Sequence, residues 1–192
     1  YCTEVRILIK RFEISINKRY NLLYQDIWVQ VLWIYTERMS RVPICFFIGH
    51  RDTPDSVMPL LESEIERHIA LCRVNEFIVG NRGSFDRLVA QALGKAKRHY
   101  PEIRLTLLLA YYNPNKPVVL PAYFDDSLYP GEMEFVPRRA AIIRVNRYMI
   151  QHSHYLIAYD KGSIGNTKNL VKYARCRAEK GLICITNLAD QI

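Results

Sequence analysis

The feature that most constrains the fold is an apolar run that stops at a glycine-containing loop and leads directly into a helical pattern. Phe77 to Val79 is apolar, Gly80 to Gly83 forms the loop, and apolar residues recur at helical spacing from Phe85 onward. This order predicts a strand, a turn and a helix. Because glycine has no Cβ, the loop can take positive φ and a ligand can approach it, while the first N–H groups of a helix lack intrahelical acceptors. The stretch predicts either a purely structural turn or a site for a phosphate or carboxylate group.

The same arrangement occurs twice more in the chain. Gly49 to Asp52 follows the apolar run Ile44 to Ile48, and Asp160 to Thr167 follows the apolar run Tyr155 to Tyr159. The carboxyl ends of parallel strands meet at one edge of a sheet, where ligands bind near the switch in strand order. We therefore expect the three loops to converge on one site.

Strand-like and helix-like segments alternate from residue 39 onward. This alternation predicts a Rossmann-like, doubly wound α/β fold: a mainly parallel sheet of about five strands with helices on both faces. Residues 111–137 contain five prolines and six aromatic residues without a period, which indicates an irregular insertion or lid. The predicted strands are Ile44–Ile48, Glu76–Val79, Ile103–Ala110, His154–Tyr159 and Leu182–Thr186. The predicted helices are Ser56–Cys72, a helix with its apolar stripe over Phe85–Ala96 that Pro101 ends, Arg138–His152 and Thr167–Lys180.

Residues 1–38 differ from the rest and contain both tryptophans. Two interpretations stay open. Met39 is a candidate start of a domain covering residues 39–192, which makes the preceding segment a non-native extension; alternatively, that segment is an authentic amphipathic extension that packs on the domain.

Composition narrows the function classes. The net charge of +8 and a pI near 9.3 suit an anionic partner, but the basic residues are spread over several helices, which makes nucleic acid the less favoured partner. Five cysteines without a CxxC pair predict no zinc site, and we expect no metal and no cofactor. Neither a membrane span nor a secretory signal is recognisable, so we expect a cytoplasmic protein without membrane association.

Arginines near the predicted loops are candidate anion contacts. Arg51 suits bidentate contact with phosphate, although Arg51 and Asp52 could instead pair with each other or cap the next helix. Arg138, Arg139 and Arg144 lie in the early part of a predicted helix and could reach the same edge of the sheet. The alternative is that these three arginines are solvated or paired.

Together these segments resemble the SLOG superfamily, a Rossmann-like group that contains the DNA-processing protein A domain and the LOG phosphoribohydrolases. The likeness covers Met39 to about Leu188 and is greater to the YspA-like and YpsA-like bacterial members. The segments that carry it are Ile48–Asp52, Gly80–Asp86, Arg144–Met149, Ile157–Asp160 and Gly165–Thr167. The resemblance implies binding of a nucleotide or a nucleotide-derived phosphorylated ligand, in a sensing or regulatory role.

The sequence departs from the hydrolases of that group at a functional position. The resemblance places a glutamate after the third loop, where this chain has Lys168 and Asn169. A carboxylate there would stabilise charge at the anomeric carbon or activate water. LOG-type hydrolysis of an N-glycoside or nucleotide is thus the alternative function, with Asp86 or Asp160 as substitute carboxylates, and a nucleic-acid-binding module is a weaker one.

From the sequence we thus expect a nucleotide-like small molecule as the ligand. We also expect a homodimer, because doubly wound domains of this size often pair through helices. The predicted ligand-binding residues are Gly49, His50, Arg51, Asp52, Gly80, Asn81, Arg82, Gly83, Asp86, Arg138, Arg144, Gly162, Ser163, Gly165, Asn166 and Thr167.

Overall fold

A computed structural model describes residues 42–162 and 164–191 of the chain. The predictions for residues 1–38 and for Met39 lie outside the described residues. The strands are β1 (Ile44–Gly49), β2 (Glu76–Val79), β3 (Arg104–Leu108), β4 (Asp126–Leu128), β5 (Tyr155–Tyr159) and β6 (Cys184–Asn187). The helices are α1 (Met58–Ala70), α2 (Ser84–Ala96), α3 (Arg138–His152) and α4 (Asn166–Ala178), and 3-10 turns cover Asp55–Val57, Gly131–Met133 and Leu188–Gln191.

The strands form one sheet in the order β4-β3-β2-β1-β5-β6, and every neighbouring pair is parallel. From β1 the chain winds outward through β2, β3 and β4, and it then returns to the other side of β1 to form β5 and β6. The direction of winding therefore switches between β1 and β5. In open α/β sheets this switch leaves a crevice at the carboxyl ends of the strands.

Helices cover both faces of the sheet, and the side chains of β1 alternate between the two apolar cores that result. Cys45 and Phe47 belong to the core packed under α1 and α2, whereas Phe46 and Ile48 belong to the core packed under α3 and α4. A strand buried on both faces is apolar at nearly every position, because successive side chains point to opposite sides. The predicted fold class is confirmed.

The sheet has a sixth strand that sequence analysis did not predict. β4 lies inside residues 111–137 and pairs with β3 at the edge of the sheet. It has three residues, two of them polar, so no apolar alternation marks it in the sequence. Tertiary contacts fix its position: the Leu105 N–H donates to Asp125 Oδ2 at 2.8 Å, and the Leu109 N–H donates to the Leu128 carbonyl at 2.9 Å.

Other differences concern the ends of elements. The first predicted helix begins as a 3-10 turn, and the α-helix starts at Met58 with Pro59 in its first turn, where a missing N–H costs nothing. Among the described residues, no helix has the length and apolar character needed to cross a membrane.

Candidate ligand site at the carboxyl edge of the sheet

A cavity of about 190 Å³ lies at the carboxyl ends of β1, β2 and β3, on the side of the sheet covered by α3 and α4. All three predicted loops contribute to its wall. The first loop supplies Gly49 and Arg51, the second supplies Gly80 to Arg82 together with Asp86, and the third supplies Asn166 and Thr167.

The cavity has an apolar floor and a polar rim. Strand ends and the inner sides of α3 and α4 form the floor, while the loops and three arginines form the rim. This division suits a ligand with one apolar or aromatic part and one anionic part. The floor residues are Phe47, Ile48, Leu108, Ala110, Ile142, Ile143, Val145 and Leu170.

Hydrogen bonds between the loops hold the rim in place. The Ser84 N–H at the start of α2 donates to the Arg51 carbonyl at 2.9 Å. The Thr167 hydroxyl in the first turn of α4 donates to the Gly49 carbonyl at 3.3 Å. The first loop is thus connected to the N-termini of both helices, so the geometry of the three loops is interdependent.

Two glycines of the second loop have no room for a side chain. Gly83 precedes α2 with φ +147°, a conformation that other residues rarely adopt, and a Cβ there would lie 3.0 Å from Arg51 Cα. A Cβ on Gly80 would lie 2.7 Å from Asp86 Oδ2. The glycines therefore let the second loop close onto both the first loop and the Asp86 carboxyl group.

Asp86 is the carboxyl group of this cavity. It is half-buried in the first turn of α2, and its Oδ2 accepts the Arg82 N–H at 2.6 Å. Burial raises the pKa of Asp86 above its ordinary value, because the charged form is poorly solvated, and the bond from Arg82 only partly opposes this. A carboxyl group in this state can take up a proton when an anion binds nearby.

Three arginines, Arg51, Arg82 and Arg139, line the cavity from the first loop, the second loop and α3. The Arg82 Cζ lies 4.9 Å from the centre of the Tyr111 ring, and the Arg138 Cζ lies 5.8 Å from the same ring. Tyr111 in turn donates from its hydroxyl to the Arg138 carbonyl at 3.1 Å. Arg138 thus contacts Tyr111 and is outside the cavity wall, whereas Arg139 is part of it.

Several predicted site residues lie beside the cavity and do not line it. His50 Nε2 is 3.1 Å from Asp160 Oδ1, and the same oxygen accepts the Gly162 N–H at 3.0 Å. Asp160 and Gly162 border a separate open groove together with Lys161 and Lys168. Of the two candidate catalytic carboxylates, the structure therefore brings only Asp86 into the cavity.

The remaining predicted residues are also spread around the cavity. Asp52 is exposed at the end of the first loop and does not line the cavity, and Gly165 is the N-cap of α4. Arg144 lines a different groove, on the outer side of α3. Ser163 lies outside the described residues.

Besides the apolar floor, the sequence prediction omitted Asn146, which belongs to the cavity wall, and Tyr111, which lies beside the cavity against Arg82 and Arg138. Asn146 lines the cavity, and its Nδ2 donates to the Ile142 carbonyl at 2.7 Å. The spacing of Arg139, Ile142 and Asn146 puts them on one helical face, and that signal could have identified the wall. Tyr111 carries no such signal, because its role depends on arginines from two other segments. Within residues 42–162 and 164–191, no three His, Cys, Asp or Glu side chains are grouped so that they could hold a metal ion.

Fold and site together define a Rossmann-like α/β protein with a cationic cavity at the topological switch of its sheet. Comparison of the sequence with protein-family models gave no match, and none of the curated proteins was similar to it.

Proposed function

We propose that this cavity binds a phosphorylated nucleotide or nucleotide-derived ligand, in a sensing or regulatory role. One observation carries the proposal: three glycine-containing loops and three arginines, Arg51, Arg82 and Arg139, border a single cavity with an apolar floor. The resemblance to the SLOG superfamily supports the same class of ligand. The proposal keeps the cytoplasmic location and the homodimer that we expect from the sequence.

The rim supplies the interactions that phosphate prefers. The first turns of α2 and α4 both adjoin the cavity, and a helix N-terminus favours an anion through its N–H groups and its dipole. Guanidinium groups add bidentate, charge-assisted hydrogen bonds. The cavity thus offers positive charge from two helix ends and three side chains around one small volume.

The floor suits the remainder of a nucleotide. Aliphatic side chains from β1, β3, α3 and α4 can pack against a base or a ribose ring. Asn146, Asn166 and Thr167 offer hydrogen bonds to ring nitrogens or hydroxyl groups from the same wall.

Hydrolysis of an N-glycoside or nucleotide is the second candidate, and Asp86 is the observation that favours it. A half-buried carboxyl group with a raised pKa can stay protonated long enough to donate to a leaving base. Against hydrolysis, Asp160 borders the neighbouring groove, and the third loop has Lys168 and Asn169 where the resemblance places a glutamate. We therefore favour binding over turnover.

The test incubates the full chain with AMP, ADP, NAD and adenosine and measures thermal stabilisation together with release of free base. We expect the phosphorylated compounds to raise Tm, adenosine to have a much smaller effect, and no base to appear. Arg51→Gln should reduce the shift, while Arg98→Gln, which removes an exposed arginine in the turn after α2, should not.

Two other outcomes would contradict the proposal. Base release that disappears in Asp86→Asn would establish the hydrolase instead of the sensor. Salt-dependent DNA binding without any nucleotide shift would favour the nucleic-acid module.

A further inference from the structure

A second groove, of about 320 Å³, lies on the outer side of α3, between α4 and the 3-10 turn Gly131–Met133. α3 separates it from the cavity described above: Ile142, Ile143 and Asn146 face the cavity, whereas Arg144 and Arg147 face the groove. The groove is lined by Glu132, Met133, Val136, Arg144, Arg147, Tyr148, Gln151 and Tyr173.

The aromatic walls of this groove are held by neighbouring side chains. Gln151 donates from Nε2 to the Tyr173 hydroxyl at 2.8 Å, and the Arg147 Cζ lies 4.8 Å from the centre of the Tyr173 ring. The Tyr148 ring stacks on the His152 ring at 4.0 Å between centroids. Two tyrosines from different helices are thus fixed by side-chain contacts, so little ordering is needed when a ligand binds.

The groove has excess positive charge. Arg144 and Arg147 are three residues apart on exposed turns of α3, and Glu132 is the carboxylate in the same lining. Among the described residues, neither arginine is within ion-pair distance of a carboxylate. Two adjacent guanidinium groups without carboxylate partners can both contact one bound anion.

We propose that this groove is a second binding site, for a small aromatic anion: a planar ring that carries a phosphate or carboxylate group. The anionic group would bind Arg144 and Arg147, the ring would pack against Tyr148 and Tyr173, and Met133 would cover its edge. Guanidinium recognises phosphate and carboxylate bidentately, while tyrosine faces favour a ring over an aliphatic chain. The site does not depend on the ligand of the first cavity.

The test is a titration of the full chain, carrying ¹³C-labelled tyrosine rings, with phenyl phosphate, followed by NMR. We expect saturable shifts of the Tyr148 and Tyr173 ring signals. Inorganic phosphate and benzyl alcohol, which each supply half of the recognised chemistry, should bind at least roughly tenfold more weakly.

Variants separate this site from general charge and from the first cavity. Arg144 does not contact the Tyr173 ring, unlike Arg147. Arg144→Glu should therefore weaken the binding of phenyl phosphate by roughly tenfold or more and leave Tm unchanged. Arg144→Gln/Arg147→Gln should do the same, whereas Arg98→Gln/Lys180→Gln removes the same charge at exposed sites elsewhere and should have no effect. Arg51→Gln/Arg82→Gln, in the first cavity, should leave the Tyr173 response intact.

The proposal is overturned if Arg144→Glu binds phenyl phosphate as tightly as the unmodified chain. It is also overturned if the shifts are confined to Tyr111, beside the first cavity, or if inorganic phosphate binds as tightly as phenyl phosphate. Because the Arg51→Gln/Arg82→Gln variant reports on the first cavity alone, failure here is distinguishable from failure of the proposed nucleotide site.

Discussion

Asp86 is the residue at which binding and hydrolysis make opposite demands. Its carboxyl group is half-buried in a cavity that Arg51, Arg82 and Arg139 also line, and its pKa is raised by burial. A charged carboxylate repels a phosphate, whereas a protonated one does not. Replacing Asp86 by a neutral Asn therefore favours anion binding, whereas a hydrolase would lose its proton donor.

Asp86→Asn should therefore tighten AMP binding near neutral pH, by up to roughly tenfold, because the variant removes a negative charge beside the anion. As pH falls toward the raised pKa of Asp86, the unmodified carboxyl group protonates and the two affinities should converge. Isothermal titration calorimetry between about pH 4 and pH 8 measures the difference in AMP affinity between the variant and the unmodified chain. The AMP phosphate titrates in the same way in both measurements, so it does not contribute to this difference. Weaker binding by the variant at every pH would contradict this role of Asp86.

Gly83 is the residue on which the shape of the second loop depends. Gly83→Ala forces a Cβ into a φ of +147° and against Arg51, so we expect the free energy of unfolding to fall by about 1–3 kcal/mol and AMP affinity to fall with it. Gly131→Ala is the matched control, because a Cβ there meets nothing within 4 Å. Urea denaturation measures both, and equal effects of the two substitutions would show that the loop geometry does not depend on Gly83.

Among the elements, β4 depends in part on the carboxylate of Asp125, the residue that precedes it. Asp125 accepts the Leu105 N–H and pairs with Lys97. Burial opposes its charge, but the bonds from Lys97 and Leu105 outweigh this and hold the pKa of Asp125 below its ordinary value. The stabilisation is thus present at neutral pH and is lost as pH falls through the lowered pKa.

Asp125→Ala should lower the free energy of unfolding by about 1–3 kcal/mol, because the Leu105 N–H loses its acceptor. Hydrogen exchange at Leu105 should accelerate more than at β1 amides. Asp126→Ala serves as the control, since within the described part of the chain its exposed carboxylate accepts only from the adjacent Ser127 N–H. Unchanged exchange at Leu105 would contradict the anchoring role of Asp125.

The elements differ in how well the sequence predicts them, for physical reasons. α2 has one apolar stripe, from Phe85 through Leu88 and Val89 to Ala96; its start was predicted within a residue, but it ends at Ala96, before the Pro101 that was expected to end it. α3 was also placed correctly, but its arginines lie on two polar faces, and periodicity cannot say which face borders the cavity. β4 was missed because its position depends on tertiary contacts and not on its own pattern.

At the scale of the whole molecule, parallel strands were enough to predict that the three loops share an edge. Which loops become neighbours depends on strand order, since β1 lies between β2 and β5. Strand order is set by how the helices pack, and no short stretch of sequence contains it. For that reason the sequence indicated Gly49, Arg51 and Gly80 as site residues but could not place Asp160 or Arg144 in separate grooves.

The stability of the whole domain should decrease at acidic pH, because α1 carries two buried titratable groups. Burial lowers the pKa of His68, which the native state keeps neutral; the unfolded chain takes up a proton as pH falls below about 6.5. Burial opposes the charge of Glu64, but bonds from Arg67 and Thr186 lower its pKa, so its contribution is lost at still lower pH.

Tm measured against pH should therefore decrease below about pH 6.5. His68→Gln, which keeps a donor for the Glu64 carbonyl, should flatten the upper part of this decrease. His99→Gln, at an exposed histidine, should not change it. A Tm that stays constant down to about pH 4 would contradict the neutral, buried state of His68.

The most direct test of the central claim is to locate AMP on the full chain by crystallography or by NMR shifts of assigned amides. We predict the phosphate between Arg51, Arg82 and the first turn of α2, with the base against the apolar floor that Ile142 and Leu170 share. AMP bound only in the groove of Arg144 and Arg147 or only along Lys161 and Lys168, or no binding at saturating concentration, would contradict it.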